Sequence, residues 1–179
     1  MNIYFDTEFI EDGRTIDLIS IGLVREDGAT YYAISDEFDA GKASEWVKEN
    51  VLKYLPPQFE IMSENEYGTD EINLASFAWK SRAEIADEII EFVGDNPVFY
   101  GYYSASDWVV LYQLYGTMMD LPQGFPMYCR DVKQLADEQG IDLSVIGQKD
   151  EHHALSDAIW CKDAHTYIKR CNDLTNKAV

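Results

Sequence analysis

Three strand-like segments at the start of the chain constrain its fold more than any other feature. Residues 2–5, 17–25 and 30–34 are rich in apolar and β-branched side chains, and a Glu-Asp-Gly turn at residues 26–28 separates the last two. Sequential strands joined in this way form an antiparallel meander. We expect the first strand to be central in the sheet if it carries functional residues.

The rest of the chain alternates between helical and extended patterns. Apolar residues recur at helical spacing over residues 43–55, and Pro56 and Pro57 end that pattern. Residues 58–80 have no clear period, and we interpret them as a long loop that serves as a lid or a partner surface. The remaining predictions are helices at residues 81–94, 104–115, 131–138 and 154–171, a strand at 98–102 and a short extended piece at 127–129. This order is typical of an α/β, three-layer domain with a mixed sheet.

Size and composition indicate one folded unit. The chain has 179 residues, of which 46% are apolar, and chains usually divide only above about 250 residues, so we predict a single domain over residues 1–179. No apolar run approaches the roughly 20 residues that span a bilayer. The amino terminus also lacks the layout of a signal peptide, and we expect a cytoplasmic protein with no membrane partner. The cysteines show no CxxC spacing and are interpreted as reduced packing residues: Cys129, Cys161 and Cys171.

The formal net charge of −19 limits how this chain can hold nucleic acid. It has the wrong sign for a protein that grips a long polynucleotide through a basic surface. Much of the charge is explained by solvated helix faces, as at residues 84–91. A nucleic-acid mimic is also acidic, but it spreads its carboxylates over a surface, whereas an enzyme gathers a few in a cleft. We therefore expect any nucleic-acid substrate to be held locally.

Acidic residues in three distant segments are candidates for a shared site. Asp6 and Glu8 are two apart at the end of the first predicted strand, so their side chains point to the same face. Asp107 lies in the first turn of a predicted helix that follows a strand. His152 and Asp157 are separated by four residues across the start of the last predicted helix. Taken singly, each fits a solvated strand end, a helix-dipole contact or a surface position, and only their combination favours one pocket.

A pocket that holds four carboxylates and an imidazole has a physical cost that narrows its use. Like charges a few ångströms apart repel each other unless they are protonated or share a cation. Oxygen-only ligands suit Mg²⁺ or Mn²⁺, and a pair of such ions is a standard means of displacement at a phosphodiester. The combination therefore favours a two-metal site for phosphodiester chemistry.

Three sequence motifs carry a resemblance to a known superfamily. Asp-Thr-Glu-Phe at residues 6–9, Ser-Asp-Trp at residues 106–108 and His-His-Ala-Leu-Ser-Asp-Ala at residues 152–158 resemble the exonuclease motifs of the DEDDh superfamily, which has a ribonuclease H-like fold. The opening Asp-Thr-Glu-Phe-Ile-Glu-Asp-Gly and the Ile-Ser-Ile-Gly strand are closer still to the small single-domain 3′-5′ exoribonucleases first described in mycobacteria. The resemblance covers nearly the whole chain in motif order and spacing.

The resemblance implies a role for each candidate residue. His152 matches the general base by its spacing to Asp157, and His153, one residue too close, is the lesser candidate. Of two Mg²⁺ or Mn²⁺ ions, one is expected to be held by Asp6, Glu8 and Asp157 and the second mainly by Asp6, while Asp107 acts through water. The four acids that match the metal site are Asp6, Glu8, Asp107 and Asp157.

The implied activity is the release of nucleoside 5′-monophosphates from the 3′ end of short or single-stranded RNA. Such an enzyme touches only the last few nucleotides, so aromatic stacking can replace a basic groove. Phe9, Tyr103 and Trp108 flank the acids and are the stacking candidates, although large aromatics beside strands more often pack the core. Many superfamily members have a His-Asn pair where this chain has Tyr102 and Tyr103, which leaves substrate choice open.

Three alternatives stay open at this point. The first is a DEDDh exonuclease that acts on single-stranded DNA. The second is an endonuclease of the ribonuclease H type, which cuts internal bonds, and the third is a catalytically silent acidic mimic or binding protein. The aromatic content and the aperiodic residues 58–80 also favour a homodimer.

Overall fold

The computed structural model describes residues 1–58, 61–64, 70–72, 77–147 and 152–177. Its strands are β1 (Asn2–Glu11), β2 (Ile16–Arg25), β3 (Thr30–Ser35), β4 (Ile61–Glu64), β5 (Asp70–Ile72), β6 (Trp79–Lys80), β7 (Val98–Gly101) and β8 (Arg130–Asp131). Its α-helices are α1 (Glu45–Asn50), α2 (Arg82–Val93), α3 (Ala105–Gln113), α4 (Val132–Glu138) and α5 (Ala154–Lys177). Short 3₁₀ turns lie at Ala40–Lys42, Leu52–Tyr54 and Met118–Asp120.

The main sheet is mixed and has the strand order β6-β3-β2-β1-β7-β8. The first three strands form the predicted antiparallel meander, and β7 and β8 continue the sheet in parallel beyond β1. Strand β1 is therefore central, as expected from its acidic residues. Parallel pairing of β1 with β7 ends at Tyr4 and Tyr100, so the second half of β1 has β2 as its strand partner.

Side chains of β1 alternate between two apolar layers. Ile3 and Phe5 belong to the buried cluster that α2 and α3 close on one face of the sheet. Tyr4 belongs to the cluster that α4 and α5 close on the other face. Helices thus cover both faces, and the predicted three-layer α/β architecture is confirmed. The alternation assigns the following even-numbered positions, Asp6 and Glu8, to the face of α5.

The structure corrects several predicted boundaries. Strand β1 runs on to Glu11, so Asp6 and Glu8 lie within a strand and not at its end. This extension depends on the pairing with β2, which continues past a register shift between Glu8 and Phe9. The short extended piece predicted at 127–129 is found as β8, a few residues later. The last helix continues to Lys177 instead of ending at residue 171.

The single helix predicted over residues 43–55 is wrong. The segment contains α1, then a break at Val51 with φ −120° and ψ −66°, and then a 3₁₀ turn. Val51 is buried with Ile10, Ile19 and Ala43. This tertiary contact accompanies the break in the helix, and the spacing of apolar residues along the chain carries no information about it.

The long loop predicted over residues 58–80 is also corrected where the structure describes it. Strands β4 and β5 pair as an antiparallel two-stranded sheet, and β6 joins the edge of the main sheet beside β3. The described part of the chain does not include residues 59–60, 65–69 and 73–76. The lid or partner-surface role expected of the segment therefore stays a prediction. None of the described helices combines the length and the apolar character that a membrane crossing demands.

Candidate active site

Three carboxylates from two elements meet on the α5 face of the sheet. Asp6 and Glu8 project from β1, and Asp157 projects from the first turn of α5. One carboxylate oxygen of each lies within 4.8 Å of the others, and all three side chains are partly buried. The structure therefore brings together three of the residues that the sequence analysis predicted to hold a metal.

Gly22 allows α5 to begin this close to β1. It pairs with Asp6 across the sheet, and a Cβ atom at this position would lie 2.4 Å from the backbone N and Cα of Leu155. The helix start therefore rests directly on the strand next to Asp6. This role of Gly22 was not predicted, although an isolated glycine inside a buried strand is a signal of close backbone approach.

Asp107 reaches the site from the opposite layer. Its Oδ1 accepts hydrogen bonds from the backbone N–H of Thr7 at 3.0 Å and from the Thr7 hydroxyl at 2.6 Å. Because β7 ends at Gly101, this edge of β1 is open at Thr7, and Asp107 fills the gap. Burial raises the pKa of Asp107, and the two bonds from Thr7 oppose that rise. Thr7 is a second residue whose role the sequence analysis missed.

The carboxylates strongly disfavour full ionisation. Burial raises the pKa of Asp6 well above its ordinary value, and repulsion from Asp107, Glu8 and Asp157 adds to the effect. Burial also raises the pKa of Glu8 to about 8, again with repulsion from Asp157 and Asp107. Within the described residues, neither Asp6 nor Glu8 forms an ion pair with a lysine or arginine. Protons or hard cations are the remaining means of offsetting this charge, and the oxygen-only donor set fits Mg²⁺ or Mn²⁺.

The two adjacent histidines have different environments. The ring of His152 is exposed, and its backbone N–H donates to Asp157 Oδ2 at 3.0 Å. The ring of His153 stacks on Tyr32 with centroids 4.6 Å apart and planes 21° apart. Its Nδ1 atom is buried and has no hydrogen bond within the described part of the chain. Of the two, His152 is the more exposed to water.

The predicted stacking residues divide into two groups. Tyr103 is 65% exposed, and Phe9 is partly buried against the α2/α3 cluster. Trp108 is only 7% exposed and packs against Phe5 and Phe99, with ring centroids 6.0 Å and 5.3 Å away. The stacking role predicted for Trp108 is therefore replaced by a core role, because the indole fills the layer between α3 and the sheet.

A central mixed sheet covered by helices on both faces, with acids gathered on its middle strand, defines the fold class of this protein as ribonuclease H-like. Solved structures with this fold include Pop2p from S. pombe in a Mg²⁺- and Mn²⁺-bound form, with a TM-score of 0.55, 14% identity and coverage of 94% of this chain and 82% of that chain. They also include the zinc-bound form of E. coli exonuclease I with single-stranded DNA, with a TM-score of 0.55, 13% identity and coverage of 98% and 42%. At such identities the likeness shows the fold alone.

The particular family follows from sequence similarity. Residues 1–169 match the family described as the 3′-5′ exoribonuclease Rv2179c-like domain. The chain is 40% identical over 162 residues to the 3′-5′ exoribonuclease Rv2179c of Mycobacterium tuberculosis, which covers 88% of this chain and 87% of that protein. The chain belongs to the Rv2179c-like 3′-5′ exoribonuclease family, and the resemblance noted in its motifs is confirmed. It is accordingly a nuclease, an enzyme that hydrolyses phosphodiester bonds.

Proposed function

We propose that this protein removes nucleoside 5′-monophosphates from the 3′ end of RNA with the help of two divalent ions. The observation that carries the proposal is the convergence of Asp6, Glu8 and Asp157, whose oxygens lie within 4.8 Å of one another. Pop2p, which shares the fold, binds Mg²⁺ and Mn²⁺, and the 40% identical mycobacterial protein is a 3′-5′ exoribonuclease.

The acids of the site would hold the ions. Asp6, Glu8 and Asp157 offer direct ligands, and Asp107, fixed by Thr7, acts through water. When bound, two such ions lower the pKa of an attacking water and stabilise charge on the leaving 3′ oxygen. The protein contributes a fixed cluster of carboxylates that selects hard cations, and the bound cations would offset the negative charge where the scissile phosphate has to lie.

His152 is the proposed general base. Its ring is exposed, and its backbone is tied to the proposed metal ligand Asp157 by a 3.0 Å hydrogen bond. Imidazole suits proton transfer at neutral pH, and a positioned general base contributes about 10²- to 10⁴-fold to rate. His152 would take a proton from the attacking water and release it to solvent.

RNA is the proposed substrate because the family is named for exoribonucleases. The charge of −19 is compatible with a short 3′ end that is held by the ions and by stacking. Tyr103, which is 65% exposed, and Phe9 remain the stacking candidates. Single-stranded DNA is the competing substrate. We also propose that the protein forms a homodimer.

A time course on end-labelled RNA with Mg²⁺ or Mn²⁺ tests this function. We expect a ladder that shortens from the 3′ end, and Asp6→Ala and His152→Ala should each abolish it while the proteins remain folded by circular dichroism. Asp157→Ala has a matched control in Asp163→Ala, because Asp163 is an exposed acid on the same helix. Internal cuts would indicate an endonuclease, and no metal-dependent turnover would indicate a binding protein. An equal ladder on DNA would overturn the RNA preference.

A further inference from the structure

Trp46 is a large exposed aromatic residue that touches the proposed general base. It lies in α1 and is 54% exposed. Its ring meets the ring of His152 in an edge-to-face contact, with centroids 4.7 Å apart and planes 82° apart. We propose that Trp46 is a positioning residue that limits the orientations of the His152 imidazole next to Asp157. This inference rests on the proposed function, in which His152 accepts the proton of the attacking water.

His152 needs such a support because its backbone alone does not fix its ring. The residue has a φ of +67°, which L side chains seldom adopt, and its N–H is tied to Asp157. Within the described residues, the imidazole makes no hydrogen bond, and Trp46 is its aromatic contact. The backbone bond sets where the side chain starts, and the indole limits where it can turn.

Trp46 can act as a support because α1 is itself anchored. Ser44 caps the helix by accepting a hydrogen bond from the Val47 N–H at 3.2 Å. Val47 packs against the buried cluster that includes Ile10 of β1, and Asn50 donates to the carbonyl oxygen of Trp46 at 2.8 Å. The helix that carries the indole is therefore anchored to the same strand that carries the acidic residues.

The edge-to-face contact can orient the His152 ring without enclosing it. One such aromatic pair is strong enough to bias a rotamer and too weak to lock the ring. Both side chains keep access to water, which a general base requires. A bulkier or fully buried contact would exclude the water that His152 has to deprotonate.

The test is steady-state kinetics on end-labelled RNA for Trp46→Ala and Trp46→Phe, with Tyr54→Ala as the matched control. Tyr54 is 70% exposed, lies in the 3₁₀ turn just beyond α1, and has the ammonium group of Lys53 over its ring. We expect Trp46→Ala to lower kcat by about 3- to 10-fold, a part of the general-base contribution, while KM changes by less than about 2-fold. Trp46→Phe should recover most of kcat, and Tyr54→Ala should match the wild type.

Two further measurements separate positioning from other roles. Because a positioning role at His152 leaves the carboxylates in place, Mn²⁺ affinity by calorimetry should be the same in Trp46→Ala and the wild type. The NMR resonance of the His152 Hε1 proton should move in Trp46→Ala, since the ring current of the indole is lost. In the double variant Trp46→Ala/His152→Ala, kcat should be no lower than in His152→Ala alone.

The outcomes also separate this inference from the proposed function. A raised KM with unchanged kcat in Trp46→Ala would place the indole on the substrate and overturn the positioning role. Wild-type kinetics in Trp46→Ala together with an inactive His152→Ala would overturn the inference and leave the general base intact. An active His152→Ala would overturn the general base and the positioning role together.

Discussion

Thr7 shows how one residue can join two layers of the fold. Its neighbours Asp6 and Glu8 point toward α5, whereas Thr7 is buried on the opposite face and donates twice to Asp107. The alternation of side chains over residues 6–8 therefore has two effects. It gathers two acids on one face, and it fixes a third acid from the other layer beside them.

Replacing Thr7 by valine tests this connection, because valine keeps the shape and removes the hydroxyl. The buried Asp107 would lose its 2.6 Å donor, which should cost about 1 to 3 kcal/mol of unfolding free energy. We expect kcat to fall by about 10-fold, the equivalent of about 1.4 kcal/mol, as Asp107 loses its fixed position. Denaturant unfolding and RNA-cleavage kinetics provide the two measurements.

Two controls make the Thr7 result specific. Thr7→Ser retains a hydroxyl donor and should preserve activity. Thr30→Val changes an exposed threonine at the start of β3 and should alter neither property. Wild-type kcat in Thr7→Val would show that Asp107 does not depend on this hydroxyl.

At the scale of secondary-structure elements, features that depend on contacts between residues close in sequence were predicted well. The helix start at Ser81 is one case, since Ser81 accepts from the Glu84 N–H and Glu84 accepts from the Ser81 N–H within one turn. The two-residue strands β6 and β8 are the opposite case, because each exists only through pairing with a distant strand. Local periodicity carries no information about such partners.

In the candidate site, too, some features were predictable from the sequence and others were not. The spacing of Asp6 and Glu8 on a strand predicts a shared face, and the motif resemblance supplied Asp107, His152 and Asp157. The contacts that orient these groups, such as the one between Trp46 and His152, join residues that are distant in sequence. They follow from how α1 and α5 pack on the sheet, so single-sequence reasoning had no signal for them.

Gly22 is the element-scale determinant that can be tested most directly. In Gly22→Ala the new Cβ would overlap the backbone of Leu155, so the start of α5 has to move away from β2. Overpacking of this kind costs about 1 to 3 kcal/mol or more. The shift should separate Asp157 from Asp6 and weaken Mn²⁺ binding, as measured by calorimetry.

Gly147→Ala is the matched control for Gly22→Ala. A Cβ at Gly147 meets nothing within 4 Å, so stability and Mn²⁺ affinity should stay at wild-type values. An unchanged Mn²⁺ affinity in Gly22→Ala would mean that the helix start does not set the geometry of the carboxylates.

For the whole molecule, the acidic cluster makes stability depend on pH and on metal. The pKa of Glu8 is raised to about 8, and that of Asp6 is raised as well. A carboxyl whose pKa is higher in the folded state binds more protons there than in the unfolded chain. Its contribution to stability is therefore present at acidic pH and is lost as pH rises from the unfolded pKa through the folded one. This sign is opposite to that of an ion-paired carboxylate.

Divalent ions should reverse that loss, which gives a prediction for the intact protein. At about pH 8 a Mn²⁺ concentration about 100 times Kd adds about 2.7 kcal/mol to the folded state, and Tm should rise by roughly 5 to 10 °C. Near pH 6 the same Mn²⁺ concentration should raise Tm less, because the ion has to displace protons from Glu8 and Asp6. Differential scanning calorimetry with and without a chelator measures both shifts.

Glu8→Gln isolates the cluster from the remaining negative charge of the chain. Glutamine keeps the volume and removes the carboxylate, so the metal-free variant should be more stable than the metal-free wild type at about pH 8. Its Tm should also respond much less to Mn²⁺. Glu11→Gln, an exposed acid at the end of the same strand, should behave as the wild type. If Mn²⁺ shifts the Tm of Glu8→Gln and Glu11→Gln equally, the metal effect arises from the general surface charge and not from this cluster. The reason is that a screened surface field is insensitive to which single carboxylate is removed.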